Sequence, residues 1–175
     1  MDLRKQLLKE HSKENSQHIF DYLLENPERF AELMEIFTQE DYRLNQRSAW
    51  IIGLVGETKG EWLLPYFSTL IDCLENPIHN AIARNIYRSF QSLSIPKEFE
   101  AQLYDLCLRD LSNPKSAIAI KVFAMTVAFN ISKNHGELQE ELALVIEEQM
   151  PYGSTGFKSR SRKILKAISK NKKKS

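Results

Sequence analysis

Phe67-Ser68-Thr69-Leu70-Ile71-Asp72-Cys73-Leu74-Glu75-Asn76-Pro77 is answered 37 residues later by Tyr104-Asp105-Leu106-Cys107-Leu108-Arg109-Asp110-Leu111-Ser112-Asn113-Pro114. In each copy the apolar residues fall at i, i+3, i+4 and i+7, which places them on one face of an α-helix. Each copy then closes on Asn-Pro, a turn signal. A helix that ends in the same turn at a fixed period is the mark of a helical repeat.

The register extends in both directions. Leu33, Leu70, Cys107 and Leu144 form one column, and Met34, Ile71, Leu108 and Val145 another. Phe30 joins Phe67 and Tyr104, and Phe37 joins Leu74 and Leu111, but these two columns reach Glu141 and Glu148 in the last copy. A basic residue recurs at Arg47, Arg84 and Lys121. Each unit reads as a first helix, a polar turn and a second helix. The first helices are predicted at about 27–38, 61–75, 97–112 and 136–149, the second at about 42–57, 78–93, 115–132 and 157–169. Pro77 and Pro114 are expected just inside the starts of two second helices, capped by Asn76 and Asn113. Segments 2–9 and 14–25 are expected to close the first open face, as terminal repeats require.

The fold class expected is therefore all-α: an α-α superhelix, a HEAT/ARM-like repeat solenoid of about four helical hairpins with an N-terminal capping segment. An up-and-down bundle is the alternative. Residues 1–168 form one expected domain, with 169–175 as a basic, disordered tail. Ala117–Ile131 is broken by Lys121 and is shorter than the roughly 20 residues a membrane span needs, so it reads as a fully buried central helix. The fourth second helix, apolar only at Phe157, Ile164, Leu165 and Ile168, reads as the closing cap.

Charge is unevenly placed along the 175 residues. Lys158 to Ser175 holds nine basic residues and no acidic one, whereas 1–157 holds 15 basic against 23 acidic. A basic end seeks phosphate or an acidic surface, or simply keeps the chain solvated. Cys73 and Cys107 lie in apolar helical patterns outside any C-x-x-C spacing, as buried, reduced thiols of a cytoplasmic protein do. The polar start, Met1-Asp2-Leu3-Arg4-Lys5-Gln6, is not that of a signal peptide.

Two constellations are candidate binding surfaces. Arg43, Arg47, Arg84, Arg88 and Lys121 all lie on second helices, which line the concave side of such a stack. They either form a basic groove for a nucleic-acid backbone or bond the turns of neighbouring units, with Asp41 as a candidate partner. The second is the loop Pro151–Ser159 and the basic run behind it: Ser154, Thr155, Lys158, Arg160, Arg162 and Lys163. Free N–H groups at a helix start favour an anion or an acidic partner, although an ordinary capped start with glycines making the turn is the simpler reading. The Walker spacing is absent.

Catalytic patterns are not found. Glu140-Glu141 and Glu147-Glu148 point about 100° apart on a helix and suit a solvated face. His11, His18, His79 and His135 lack metal-ligand spacing, and no nucleophile elbow occurs. Trp50 and Trp62 read as packing residues. No cofactor and no metal is expected, and no pocket with convergent perturbed groups.

The stretch Arg47-Ser48-Ala49-Trp50-Ile51-Ile52-Gly53-Leu54-Val55-Gly56 resembles the second helix of a HEAT repeat. With Trp62-Leu63-Leu64-Pro65, Lys121-Val122-Phe123-Ala124-Met125-Thr126 and Phe157 through Lys166, most of the chain is similar to a group of small, uncharacterised bacterial HEAT-like proteins. Some of those carry an adenylosuccinate lyase label, but the Gly-Ser-Ser-x-Met signature of that longer enzyme is missing. There is a more distant likeness to HEAT-like DNA glycosylases, without a Trp/Asp/Arg catalytic set. The resemblance implies the fold and no activity. A non-catalytic protein-interaction module is the first functional expectation, and a nucleic-acid-associated protein using the arginines and the lysine-rich tail is the alternative. The partner, the oligomeric state and the biological process are not legible.

Overall fold

A computed structural model describes residues 1–39, 41–133 and 135–172, with side chains up to Asn171. Among these residues the fold is all-α, with ten helices and no strand. The chain divides into two compact units, Met1–Leu93 and Ser94–Ser175.

Unit 1 contains α1 (Leu3–Lys9), α2 (Lys13–Glu25), α3 (Phe30–Phe37), α4 (Tyr42–Thr58), α5 (Phe67–Glu75) and α6 (Asn80–Phe90). Single 3-10 segments, Pro27–Arg29 and Gly60–Tyr66, lead into α3 and α5. Helix starts follow local chemistry. Asp2 accepts from the Lys5 N–H, Ser12 from Asn15, and Asp41 from both Arg43 and Leu44. Each satisfies donors that the first helical turn leaves open. The amphipathic faces meet in one core, where Phe67 stacks on Phe90 with centroids 4.5 Å apart. Leu33, Leu70, Ile71 and Leu74 are all buried, as their columns require. Trp62 packs on Phe30, and Trp50 meets His11 edge to face; both tryptophans are half-buried packing residues.

Unit 2 contains α7 (Lys97–Ser112), α8 (Ile118–Ser132), α9 (Gly136–Gln149) and α10 (Thr155–Lys172), with the 3-10 turn Met150–Tyr152 before α10. Its core joins Leu103, Cys107 and Leu111 of α7 to Ala124, Met125 and Ala128 of α8, Leu142 and Ile146 of α9, and Phe157, Ile164 and Ile168 of α10. The Tyr104 hydroxyl donates to the Leu138 carbonyl at 2.7 Å, tying α7 to α9. Residues 169–172, read from sequence as tail, form the last turn of α10, and 173–175 lie outside the described residues.

Three local expectations are corrected. Pro77 and Pro114 do not start second helices: α6 begins at Asn80 under the His79 imidazole, and α8 begins at Ile118 without a side-chain cap. Asn76 and Asn113 instead end α5 and α7. A proline forces the residue before it out of the helical region, so Asn113 is extended (φ −70°, ψ 116°) and its side chain accepts from the Lys115 N–H at 2.9 Å. The Asn-Pro pair thus marks where a first helix stops. The second correction is to α8, which is not fully buried. Ile118 is exposed and Val122, Phe123 and Phe129 are half-buried, because α7, α9 and α10 do not surround the helix on every side. The third concerns Cys73, which is half-buried, whereas Cys107 is fully enclosed.

Candidate partner-binding clefts

Each unit has a cleft where the turns of two hairpins come together. In unit 1 it measures about 270 Å³ and runs from Phe37 and Asn45 to Cys73, Ile78 and Ile82. Asn45 shapes its floor. The side-chain amide donates to the carbonyls of Phe37 and Gln39, which holds the turn between α3 and α4 closed. Its Oδ1 is buried and unpartnered among the described residues, and Asp72 stands on the wall of the cleft.

The cleft in unit 2 is larger, about 460 Å³, and opens between the α7–α8 turn and the approach to α10. Pro114, Ile118, Tyr152 and Phe157 supply apolar surface, and Ser112, Ser116, Gln149 and Ser154 supply polar groups. Ile118 is 53% exposed and Tyr152 87% exposed. Lys121 Nζ donates to Gln149 Oε1 at 3.0 Å, and partial burial lowers the pKa of the ammonium below the ordinary lysine value. Among the described residues Lys121 is the only charged side chain on the lining, which includes no carboxylate, histidine or cysteine. Lys121, Ser154 and the loop before α10, which the sequence placed in two separate candidate surfaces, meet in this one cleft.

The loop before α10 owes its glycine to space. Gly153 has ordinary extended dihedrals (φ −78°, ψ 149°), and no glycine has a positive φ. A Cβ there would stand 2.3 Å from the Phe157 ring, so Gly153 allows that ring to close over the turn. Ser154 caps the helix, accepting from the Phe157 N–H at 3.3 Å.

The structure separates residues that the sequence grouped. Of the α10 set, Ser154 lines the cleft and Thr155 is exposed at the helix start. Lys158 is half-buried, and Arg160 Nη1 donates to Thr126 Oγ1 on α8 at 2.9 Å. Arg162 and Lys163 face outward. The second-helix arginines are equally divided. Arg47 Nη1 donates to the Leu7 carbonyl at 2.6 Å, which secures the end of α1; Asp41 is occupied as the cap of α4 and is not its partner. Arg88 makes a two-pronged pair with Glu57, both contacts at 2.7 Å. Arg43 and Arg84 are exposed, and the Arg84 side chain has no hydrogen bond or ion pair among the described residues. Lys121 belongs to the other unit and faces its cleft.

Ile118 and Gln149 are cleft residues that sequence reasoning missed, whereas Tyr152 lies in the loop that it singled out. The signal for Ile118 was an isoleucine at the very start of a second helix, outside the repeating apolar columns.

Stacked pairs of amphipathic helices without a strand define an α-helical repeat protein. The sequence matches the HEAT repeat domain family over residues 3–168, and the chain belongs to that family, whose fold is generally a non-catalytic scaffold. No curated protein and no solved structure matches the chain significantly. No helix among the described residues is long and apolar enough to cross a membrane.

Proposed function

We propose that this chain is a non-catalytic scaffold that binds a partner protein through a short segment seated in the cleft of unit 2. Ile118 is the observation that carries the reading. An isoleucine more than half exposed, on the rim of a cleft with Pro114, Tyr152 and Phe157, leaves apolar surface uncovered by the described residues. An interface of apolar centre and polar rim uses this kind of surface. Lys121 selects a segment with an acidic residue beside its apolar anchor, since no carboxylate lines the cleft to compete. The lack of any acid–base or nucleophile pair on that lining supports a binding role over a catalytic one. The two unpaired thiols support a cytoplasmic setting.

The test is an affinity capture with the full chain, comparing wild type with Ile118→Asp and Lys121→Glu and reading the retained proteins by mass spectrometry. A partner in this cleft disappears from both variants and persists with Arg84→Glu, on the other unit. An unchanged set of retained proteins would sink the reading.

The second reading, association with nucleic acid, gains little from the arginines of unit 1, because Arg47 and Arg88 are engaged within the fold. Its support comes from α10.

A further inference from the structure

The outer face of α10 is a row of cations. At about 100° per residue, Arg162, Lys163, Lys166 and Lys170 fall within a single arc of about 100°, together with Ser159 and Thr155. All six are exposed. The opposite arc holds Phe157, Ser161, Ile164 and Ile168, all buried in unit 2. Burial of that face therefore holds the cationic face outward.

Nothing on the helix offsets these charges. Thr155 to Lys172 contains no acidic residue, and none of the four outward cations forms an ion pair with a described residue. By sequence, unit 2 carries 14 basic against 9 acidic residues, a balance of +5, whereas unit 1 carries 10 against 14, a balance of −4.

We infer that this face binds the phosphate backbone of duplex nucleic acid, without reading its sequence. Four cations span about 12 Å of helix at a rise of about 1.5 Å per residue. A duplex presents about one negative charge per 1.7 Å of axis, so every cation on the row meets phosphate density. The chemistry of the face excludes the other anionic surfaces. It has no exposed apolar side chain, which a helix lying in a membrane interface needs. A protein interface is organised around a buried apolar or aromatic anchor, and this face has none. Backbone contacts to nucleic acid need only charge and polar donors, which Arg162, the three lysines, Ser159 and Thr155 provide. The surface is separate from the cleft of the proposed partner segment, so either can fail without the other.

The experiment is fluorescence anisotropy of the full chain with a short mixed-sequence duplex DNA over a salt series. Four released counterions predict a slope of about −3.6 in log K against log salt, a loss on the order of 100-fold between about 50 and 200 mM. The variant Arg162→Gln, Lys163→Gln, Lys166→Gln, Lys170→Gln should lose at least tenfold in affinity at low salt, with a slope shallower by about 3 to 4. A control with the same change in net charge, Lys5→Gln, Lys9→Gln, Lys13→Gln, Lys59→Gln, alters exposed lysines of unit 1 and should change binding less than twofold. Circular dichroism checks that both variants fold. Equal weakening by the control, a slope near zero, or tighter capture by polyglutamate-coated beads or phosphatidylserine vesicles than by duplex would each overturn the assignment.

Discussion

Gly56 of α4 and Ser89 of α6 touch so closely that a Cβ on Gly56 would stand 2.1 Å from the Ser89 Cβ and 2.5 Å from its Cα. One of those atoms is backbone, so no rotamer relieves the clash. α4 and α6 pack directly on one another, and this glycine sets how near they come. Gly56→Ala should destabilise the chain by about 2 kcal/mol or more, since overpacking costs about 1–3 kcal/mol and more against backbone, against about 1 kcal/mol gained in helix propensity. Gly53→Ala is the comparison. Its Cβ would meet Asn85 Oδ1 at 2.9 Å, a side-chain atom with no backbone atom behind it in contact, so its penalty should be the smaller. Urea denaturation of both variants checks the order.

Arg47 holds α1 against α4 through the Leu7 carbonyl. A hydrogen bond from a charged donor contributes about 1.5–3 kcal/mol, so Arg47→Ala should lower stability by about 1–2 kcal/mol. Hydrogen exchange should quicken first in α1. By contrast, the Arg88–Glu57 pair is partly exposed, and a double-mutant cycle should find a coupling of about 1 kcal/mol or less.

The two thiols should be told apart by alkylation. Cys73 is half-buried and Cys107 fully buried, and burial raises the pKa of each above the ordinary thiol value. In the native chain iodoacetamide should label Cys73 slowly at pH 8 and leave Cys107 unlabelled, with both reacting in urea. Mass spectrometry of the peptides decides. Labelling of Cys107 at the rate of Cys73 would contradict the packing of α7 in unit 2.

Alkaline pH should weaken the fold, and the sign follows from the same groups. Cys107 is held protonated chiefly by burial, and Tyr104 chiefly by burial with Glu141 adding to it. A group whose folded pKa is raised lends stability that is full below its unfolded value and is lost as pH rises past it. The loss should therefore begin near pH 9 for the thiol and near pH 10 for the phenol. Cys107→Val should flatten the first part of the decline, measured as the urea midpoint between pH 8 and 10.5.

Ser154 offers a test of the approach to α10. Ser154→Ala removes the acceptor for the Phe157 N–H and should cost about 1 kcal/mol. Gly153→Ala should cost more, because the Phe157 ring must leave its place over the turn.

The periodic features were legible. The first helices lie within a few residues of the expected bounds, because i, i+3, i+4, i+7 spacing is a property of a single helix. The starts of α6 and α8 were not legible, since Asn-Pro signals a turn without saying which helix it belongs to. The basic column at Arg47, Arg84 and Lys121 looked like one repeated function and has three fates: a helix-end bond, an exposed side chain and a cleft wall. Of the α10 set, Arg162 and Lys163 remain on a candidate surface, while Arg160 is spent on Thr126.

By itself the sequence determined that this chain is a run of amphipathic helical hairpins with a basic final helix, since hydrophobic period, turn residues and charge runs are local. Tertiary structure alone decided which of those features stay available. Arg47 meets Leu7 from 40 positions away, Gly56 meets Ser89 from 33, and Ile118 is left exposed. Each outcome depends on which helices pack together, and that is fixed by the summed burial of whole faces and not by any short stretch of residues.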